Sequence, residues 1–330
     1  MTSGNNSDLT RQLKQRALEL GVDLVGAAPV ERWDVPPPPD VERVPVYPPT
    51  GYGPADLMPS GRSVIVLGIG QLEGVIESNV TGAATSYAYG NYGYVHLNRT
   101  LNSICFDLAR WLEARGCRTL PLGPSMGGRY NHIADEDESI IAPLYGTFSL
   151  KRAAVLAGLG RKAKNGLVAN LVHGVKIRLA CLITAAPLEA GPLLPGDPCP
   201  PGCTVCMDVC PTQAITPNGR VNHYKCASDC GRRGSSWEEI KRQMKDGYPV
   251  DVPGADYVAH ERFAIDGAGN RLCKVACQAL CPLGEDPPKD VLRRANGWET
   301  SNPKVKLTGF PASHSPESAT EAQRHREFIQ

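Results

Sequence analysis

The sequence predicts a mixed α/β domain followed by a smaller cysteine-rich module. Strand-like apolar runs alternate with amphipathic helical segments up to about residue 190. A proline- and glycine-rich linker, EAGPLLPGDPCPPG, then leads into a region that holds most of the 12 cysteines. At 330 residues the chain is long enough for one large core and a second, smaller unit.

Hydrophobic spacing predicts the first elements of the α/β domain. Leucine and alanine recur at helical spacing over 8–20, and glycine follows as a stop. VDLVGAA at 22–28 predicts a short strand, and SVIVLGIG at 63–70 predicts a buried one. Between them, the proline-rich stretch 34–61 is expected to cross the surface without regular structure.

The later elements of this domain are predicted in the same way. ATSYAYGNYGYVH at 84–96 gathers four tyrosines on a glycine-broken segment, and a one-sided apolar pattern predicts a helix over 97–112. GCRTLPLGP at 116–124 predicts a strand that runs into a loop, and 149–174 predicts a helix followed by a glycine turn. Alternating apolar residues in VKIRLACLITAAPL, 175–188, predict a half-buried strand.

Charge and apolar length favour a cytoplasmic protein with a small ligand. The net charge is +1, which gives no electrostatic argument for nucleic acid or an anionic membrane. The N-terminal stretch has neither a twin arginine nor an apolar export signal, and the apolar runs are too short to cross a membrane. Because thiols stay reduced in the cytoplasm, the cysteines predict metal or redox chemistry.

Two cysteine runs, each ending in Cys-Pro, predict two [4Fe–4S] clusters. In bacterial two-cluster ferredoxins, the cysteine before the proline binds the cluster of the other run. The first cluster is therefore assigned to Cys199, Cys203, Cys206 and Cys281. The second is assigned to Cys210, Cys273, Cys277 and Cys226, with Cys230 as the alternative to Cys226.

Zinc and disulfides are the alternatives to these clusters. A zinc ribbon needs two CxxC pairs, whereas only Cys203 and Cys206 have that spacing in the two runs. Disulfides are disfavoured by the expected compartment. Each run departs from the usual ferredoxin pattern, because its first two cysteines are separated by three residues instead of two.

Several ordered motifs resemble the cobalamin and iron–sulfur family that contains epoxyqueuosine reductase and the reductive dehalogenases. The motifs are LKQRALELGVDLVGAAPV, ADLMPSGRSVIVLGIG, AGLGRKAKNG with the strand that follows it, and the cysteine block with CPTQAI. The resemblance covers about residues 9–285. It implies a nitroreductase-like, corrinoid-binding α/β (α+β) domain over 1–190 and a ferredoxin-like domain with two [4Fe–4S] clusters over 191–298. The polar stretch 299–330 is predicted to be a C-terminal tail.

The loop AGLGRKAKNG resembles the family's glycine-rich loop near the corrinoid tail. The resemblance implies cobalamin contacts for five of its residues, namely Gly158, Gly160, Lys164, Asn165 and Gly166. Glycines let a backbone approach a ligand closely, and amide or ammonium groups bond to polar tail atoms. The alternative is a plain helix end followed by a turn.

Departures from the family pattern suggest a subfamily. Leu144 and Tyr145 occupy the place where epoxyqueuosine reductases carry a proton-donating aspartate, and Arg161 replaces a tryptophan. The loop is closer to the dehalogenase form, and dehalogenases pair a tyrosine proton donor with a nearby cation. The candidate donors are Tyr94, Tyr89 and Tyr145, with Lys164 or Lys162 as the cation. For each tyrosine, core packing with a bonded hydroxyl is the alternative.

We therefore expect an oxidoreductase, closer to the reductive dehalogenases, that uses cobalamin and two [4Fe–4S] clusters. Its expected partners are a small organic substrate and an external low-potential donor, ferredoxin or flavodoxin, with neither nucleic acid nor a membrane. Two alternatives stay open. One is a non-catalytic corrinoid-binding or electron-transfer protein, and the other is an epoxyqueuosine reductase-like enzyme with an altered proton donor.

Overall fold

The computed structural model describes residues 3–34, 53–81, 88–124, 148–217, 219, 221, 226 and 275–284. Within these ranges the chain is a mixed α/β protein built on a four-stranded sheet, as the sequence predicts. No helix in the described ranges is both long and apolar enough to cross a membrane. The predicted tail and several predicted site residues, Tyr145, Cys230 and Cys273, lie outside these ranges.

The described part of the chain contains six strands in two sheets, and every paired neighbour is antiparallel. The strands are β1 (Leu24–Pro29), β2 (Ser63–Gly70), β3 (Thr119–Leu122), β4 (Arg161–Lys162), β5 (Val168–Ala169) and β6 (Ile177–Thr184). The main sheet has the order β1-β2-β6-β3, and β4 pairs with β5 as a separate small ribbon. The strands predicted from apolar runs are therefore confirmed: β2 has the predicted ends, and the ends of the others are shifted by one to four residues.

The helices of the described residues agree with the predictions at 8–20, at 97–112 and from 149, whereas a short helix at Pro54–Leu57 contradicts the prediction that 34–61 lacks regular structure. They are α1 (Ser3–Glu19), α2 (Pro54–Leu57), α3 (Glu73–Thr81), α4 (His96–Glu113), α5 (Leu150–Leu156), α6 (Val205–Asp208) and α7 (Ala276–Ala279), with a 3-10 turn at Val30–Trp33. Gly21 has φ +97°, which ends the first helix in the left-handed region as expected. The Ser149 hydroxyl accepts from the Arg152 N–H at 3.2 Å and so caps α5, the helix that leads into the glycine loop.

The strand β6 is buried on both faces, so the prediction of a half-buried strand is wrong. Ala180 and Leu182 pack in one apolar cluster with α1 and α4. Cys181 and Ile183 point to the opposite face and pack in a second cluster with α5. Because helices cover both faces of the sheet, alternation along this central strand does not separate core from solvent.

The tyrosine-rich segment is helical instead of being broken by its glycines. Tyr89–Val95 forms a π-helix that continues directly into α4. Gly93 packs against the Tyr89 ring, since an added Cβ would lie 3.0 Å from Cδ2. The glycine therefore allows a close contact within the helix, and the described tyrosines lie on one continuous element.

Candidate metal centre

Four thiols from two distant segments lie together, and we call them the first thiol group. The group consists of Cys199, Cys203, Cys206 and Cys281. Burial, followed by the nearby thiols Cys281, Cys199 and Cys203, raises the pKa of Cys206 to about 12. Burial also raises the pKa of Cys281 to about 12, with Cys199 and Cys203 again among its neighbours. Cys206 and Cys281 therefore each lie near Cys199 and Cys203, while the binding of one cluster by these four cysteines stays a prediction.

Backbone N–H groups donate to the sulfur atoms of both cysteine runs. The Lys164 N–H donates to Cys199 Sγ at 3.3 Å, and the Ala214 N–H donates to Cys210 Sγ, also at 3.3 Å. A backbone hydrogen bond from Leu283 lowers the pKa of Cys281, against the effect of burial. Such bonds stabilise thiolate over thiol, and hydrogen bonds to sulfur help to set the reduction potential of iron–sulfur clusters.

This donor set fits a cubane cluster. Buried thiols with raised pKa values lose their protons when a metal binds, because the ligand is the thiolate. Among the described residues, no three His, Cys, Asp or Glu side chains are gathered as a site for one metal ion. A four-iron cube is larger than a single ion, so its thiolates stand further apart than the ligands of zinc.

The second thiol group is defined by Cys226 and Cys277 together with the predicted members Cys210 and Cys273. Cys226 and Cys277 both interact electrostatically with Lys151 and raise its pKa. Cys210 Sγ lies 3.6 Å from Thr212 Oγ1. Cys226 and Cys277 thus share one neighbouring lysine, while the completion of this group by Cys210 and Cys273 stays a prediction.

The glycines of the predicted corrinoid loop pack against the protein itself. Gly158 has φ +75°, and an added Cβ there would collide with the carbonyl oxygen of Pro192. At Gly160 the added Cβ would collide with the carbonyl oxygen of Ala169, across the β4–β5 ribbon. Gly166 has φ +72°, and an added Cβ there would lie 2.9 Å from Val221 Cγ2. Close packing within the chain therefore explains these glycines, and their contact with a corrinoid stays a prediction.

Lys164 and Asn165 connect the same loop to both cysteine runs. Lys164 Nζ donates to the carbonyl oxygen of Cys203 at 2.8 Å. Asn165 is buried, and its Nδ2 donates to the carbonyl oxygen of Cys277 at 2.9 Å. Both residues thus hold the backbone of predicted cluster ligands, and the role that the resemblance implies for them toward a cobalamin tail stays a prediction.

Tyr94 lies beside a cation, although not one of the two lysines predicted for this role. The guanidinium carbon of Arg178 lies 4.0 Å from the centre of the Tyr94 ring. Two Arg178 nitrogens, Nε and Nη2, donate to Asn98 Oδ1 at 3.1 Å and 2.7 Å, and these bonds fix the guanidinium in place. Sequence reasoning missed Arg178 because the pairing joins β6 to the π-helix, and no local pattern signals such a contact.

Tyr89 takes part in a buried polar network instead of facing an open site. Its hydroxyl donates to Gln278 Oε1 at 3.0 Å. Gln278 Nε2 donates to Gln71 Oε1 at 2.8 Å and to the carbonyl oxygen of Val175 at 2.9 Å. Gln71 Nε2 in turn donates to the carbonyl oxygen of Gly93 at 2.7 Å. Tyr89 and both glutamines are buried, so the network ties the π-helix to the second cysteine run.

Comparison with known proteins finds curated relatives that are named epoxyqueuosine reductase. The relative from Staphylococcus aureus is 26% identical over 300 residues, 83% of this chain and 65% of its own length. The relative from Bacillus subtilis is 36% identical over 142 residues, 42% of this chain and 30% of its own length. No family model matches the chain.

The solved structures that match include both predicted protein classes. An epoxyqueuosine reductase solved with an epoxyqueuosine-modified tRNA stem loop is 16% identical with a TM-score of 0.45, over 98% of this chain and 99% of that one. A catabolic reductive dehalogenase is 14% identical with a TM-score of 0.49, over 89% of this chain and 37% of that one. A TM-score below 0.5 does not by itself establish a common fold.

These findings correct two predictions. The prediction of small-molecule reductive dehalogenation is wrong, because the curated relatives are named epoxyqueuosine reductase. The expectation of a small-molecule substrate without nucleic acid is contradicted by the same name. The relatives' name agrees with the prediction of an oxidoreductase. The chain is thus similar in sequence to curated epoxyqueuosine reductases, and a closer relation to the reductive dehalogenases is not supported.

Proposed function

We propose that the chain is a reductase of the epoxyqueuosine reductase type that acts on a modified nucleoside in RNA. The substrate class is supported by the name that the curated relatives share. The observation that carries the redox part is the first thiol group, in which Cys281 lies with three cysteines of a distant run. This interleaving is the arrangement of a two-cluster ferredoxin, whose clusters pass electrons one at a time.

In this proposal the two thiol groups hold two [4Fe–4S] clusters. When bound, the clusters supply low-potential electrons, and cobalamin supplies a metal centre that accepts them. The N–H groups of Lys164, Ala214 and Leu283 stabilise the thiolates, and Lys164 and Asn165 hold the ligand backbone in position. Cobalamin is inferred from the family resemblance alone, and the roles assigned to Lys164, Asn165, Ala214 and Leu283 do not depend on it.

We assign the role of proton donor to Tyr94. Removal of an epoxide oxygen as water consumes two electrons and two protons, so the site needs an acid. The guanidinium carbon of Arg178 lies 4.0 Å from the centre of the Tyr94 ring, so a fixed positive charge stands beside the hydroxyl-bearing ring that we assign as the acid. Arg178 acts through Tyr94 and is a positioning and electrostatic residue, fixed by its two bonds to Asn98.

The proposal is tested with anaerobically reconstituted protein, a chemical reductant and a tRNA stem loop that contains epoxyqueuosine. Wild-type protein is expected to convert the nucleoside to its deoxygenated form, as measured by mass spectrometry. Tyr94→Phe should reduce the single-turnover rate by about a hundredfold or more, since a positioned acid contributes about that factor. The matched control is Tyr92→Phe, because Tyr92 lies on the same π-helix and is 55% exposed.

Two results would overturn parts of the proposal in distinguishable ways. If wild-type protein binds cobalamin and iron but leaves the stem loop unchanged, the RNA substrate is wrong. If both tyrosine variants turn over at the wild-type rate, the substrate stands and the assignment of Tyr94 is abandoned. Arg178→Gln removes the cation and keeps a donor for Asn98 Oδ1, and we expect it to lower the single-turnover rate without changing the affinity for the stem loop.

A further inference from the structure

Two glycines from distant parts of the chain bring their backbones into direct contact. Gly174 has φ +55°, and an added Cβ there would collide with the carbonyl oxygen of Leu283. Gly284 has φ +80°, and its added Cβ would collide with the backbone nitrogen of Gly174 and the carbonyl carbon of His173. Because any side chain would separate the two backbones, only glycine allows this approach at either position. We call the contact between Gly174 and Leu283–Gly284 the glycine clasp.

The Gly174 side of the clasp is a tightly held turn. Asn170 and Gly174 exchange two backbone hydrogen bonds, at 2.8 Å and 2.9 Å, which close the turn. The Asn170 side chain is buried, and its Nδ2 donates to the carbonyl oxygen of Leu159 at 2.7 Å. Its Oδ1 accepts from the Val172 N–H, also at 2.7 Å. The turn is therefore fixed to the glycine loop and provides a firm surface for Leu283.

The Leu283 side of the clasp leads directly to Cys281. Cys281 lies in a small apolar cluster with Val175, and Cys199 and Leu283 pack against that cluster. Pro282 joins Cys281 to Leu283, and its ring restricts φ at that position. A displacement of Leu283 is therefore passed to Cys281 through a short and stiff connection.

A second contact holds the chain on the other side of Cys281. Gln278 Nε2 donates to the carbonyl oxygen of Val175 at 2.9 Å. Gln278 comes before Cys281 and Leu283 comes after it, and their partners, Val175 and Gly174, are neighbours in sequence. Cys281 is thus held between two anchors on one short stretch of the α/β domain, a side-chain hydrogen bond and a close backbone contact.

We propose that Gly174 and Gly284 are positioning residues for the first thiol group, and that their contact places Cys281 where it completes the cluster that the first cysteine run begins. The inference rests on the two-cluster part of the proposed function and is independent of the substrate. The groups of a binding site must be held to within about 0.5 Å of their productive positions. A methyl group forced between the two backbones would overlap a backbone atom, so it displaces the Cys281 segment and leaves the first run in place.

The test compares glycine variants of the anaerobically reconstituted protein by iron analysis and by electron paramagnetic resonance of the reduced form. Wild-type protein should hold about eight irons in two clusters. Gly174→Ala should lower the iron content about twofold and remove one of the two cluster signals, the same signal that Cys281→Ala removes. Gly284→Ala enlarges the other side of the clasp and should have the same effect.

The matched control is Gly116→Ala. Gly116 has φ +78°, close to that of Gly284, but an added Cβ there meets nothing within 4 Å. Both changes place alanine in the left-handed region, so the backbone cost is the same in the two variants. Gly116→Ala should therefore lose some stability and keep both clusters.

A merely structural role for the clasp would weaken both clusters equally or neither. Equal loss of the two signals in Gly174→Ala, full iron content in both clasp variants, or an identical loss in Gly116→Ala overturns the inference. If Gly174→Ala fails to fold, Gly284→Ala decides by the same outcomes. Wild-type protein with fewer than about eight irons would overturn the two-cluster proposal as well, whereas a full wild-type complement that survives Gly174→Ala overturns the inference alone.

Discussion

Replacement of Gln278 by leucine should destabilise the protein strongly, because one side chain serves three partners in a buried network. The change removes an acceptor from the Tyr89 hydroxyl and donors from Gln71 Oε1 and the Val175 carbonyl oxygen. A buried polar group that loses its partner costs about 1–3 kcal/mol, so three such groups give a loss of roughly 3 kcal/mol or more in the free energy of unfolding.

The assay is urea denaturation of the cluster-loaded protein under anaerobic conditions. The dependence of the free energy of unfolding on urea concentration should be the same in the variant and in wild type, which shows that only stability has changed. Gln15→Leu is the matched control. Gln15 is exposed on α1, and its side-chain amide donates to Glu19 Oε1, one turn along the same helix. A second comparison uses Tyr89→Phe. Since its hydroxyl bonds to Gln278, the two changes together should cost less than the sum of each alone.

A loss below about 1 kcal/mol for Gln278→Leu, similar to that of Gln15→Leu, would refute the reasoning. Fully additive effects of the Gln278 and Tyr89 changes would also count against it. Either result would mean that the π-helix is held against the second cysteine run by apolar packing and not by the polar network.

Three further predictions test the thiol groups, the glycine loop and the buried core. Cys281→Ala should halve the iron content of reconstituted protein and abolish the cluster of Cys199, Cys203 and Cys206, while loss of the other cluster alone would contradict the interleaved assignment. Gly160→Ala should lower the free energy of unfolding by about 1–3 kcal/mol because its Cβ would collide with a carbonyl oxygen, whereas Gly74→Ala, with nothing within 4 Å of the added Cβ, should be neutral or slightly stabilising. If the two glycine changes alter the free energy of unfolding equally, the loop around Gly160 must shift to accommodate the added Cβ. Burial raises the pKa of Cys105 to about 12 from the ordinary 9.0, so the unfolded thiol ionises first and stability is lost as pH rises from about 9 to 12. Cys105→Val should reduce that loss by roughly 4 kcal/mol, as measured by denaturation curves at several pH values from about 9 to 12. If stability depends on pH in the same way in Cys105→Val and in wild type, the prediction is contradicted.

The sequence predicted the main strands of the sheet well, for physical reasons that are local or periodic, while the ligand set of the first thiol group stays a prediction. The strand SVIVLGIG is recognisable because a continuous apolar run of this length is typical of a buried strand. The sequence analysis assigned Cys281 to the cluster of the first run because, in two-cluster ferredoxins, the cysteine before the proline binds the cluster of the other run.

Contacts between distant segments were the ones that sequence reasoning missed. Tyr89 and Gln278 are 189 residues apart, and nothing near either residue indicates the other. The Arg178 guanidinium packs on the Tyr94 ring only because the fold places β6 beside the π-helix. The glycines of the loop were interpreted as room for a ligand, since composition alone does not distinguish a close ligand from a close carbonyl oxygen.

The interleaving of the two cysteine runs also has a consequence for biosynthesis. The first run emerges from the ribosome well before Cys281, so its three nearby thiols cannot complete their group until Cys281 has also emerged. On the proposed function, iron delivery must wait until both runs have been synthesised and α7 has docked. A protein truncated anywhere between the two runs should therefore be a poor acceptor for any cluster-loading machinery, even though it retains the densest cysteine motif.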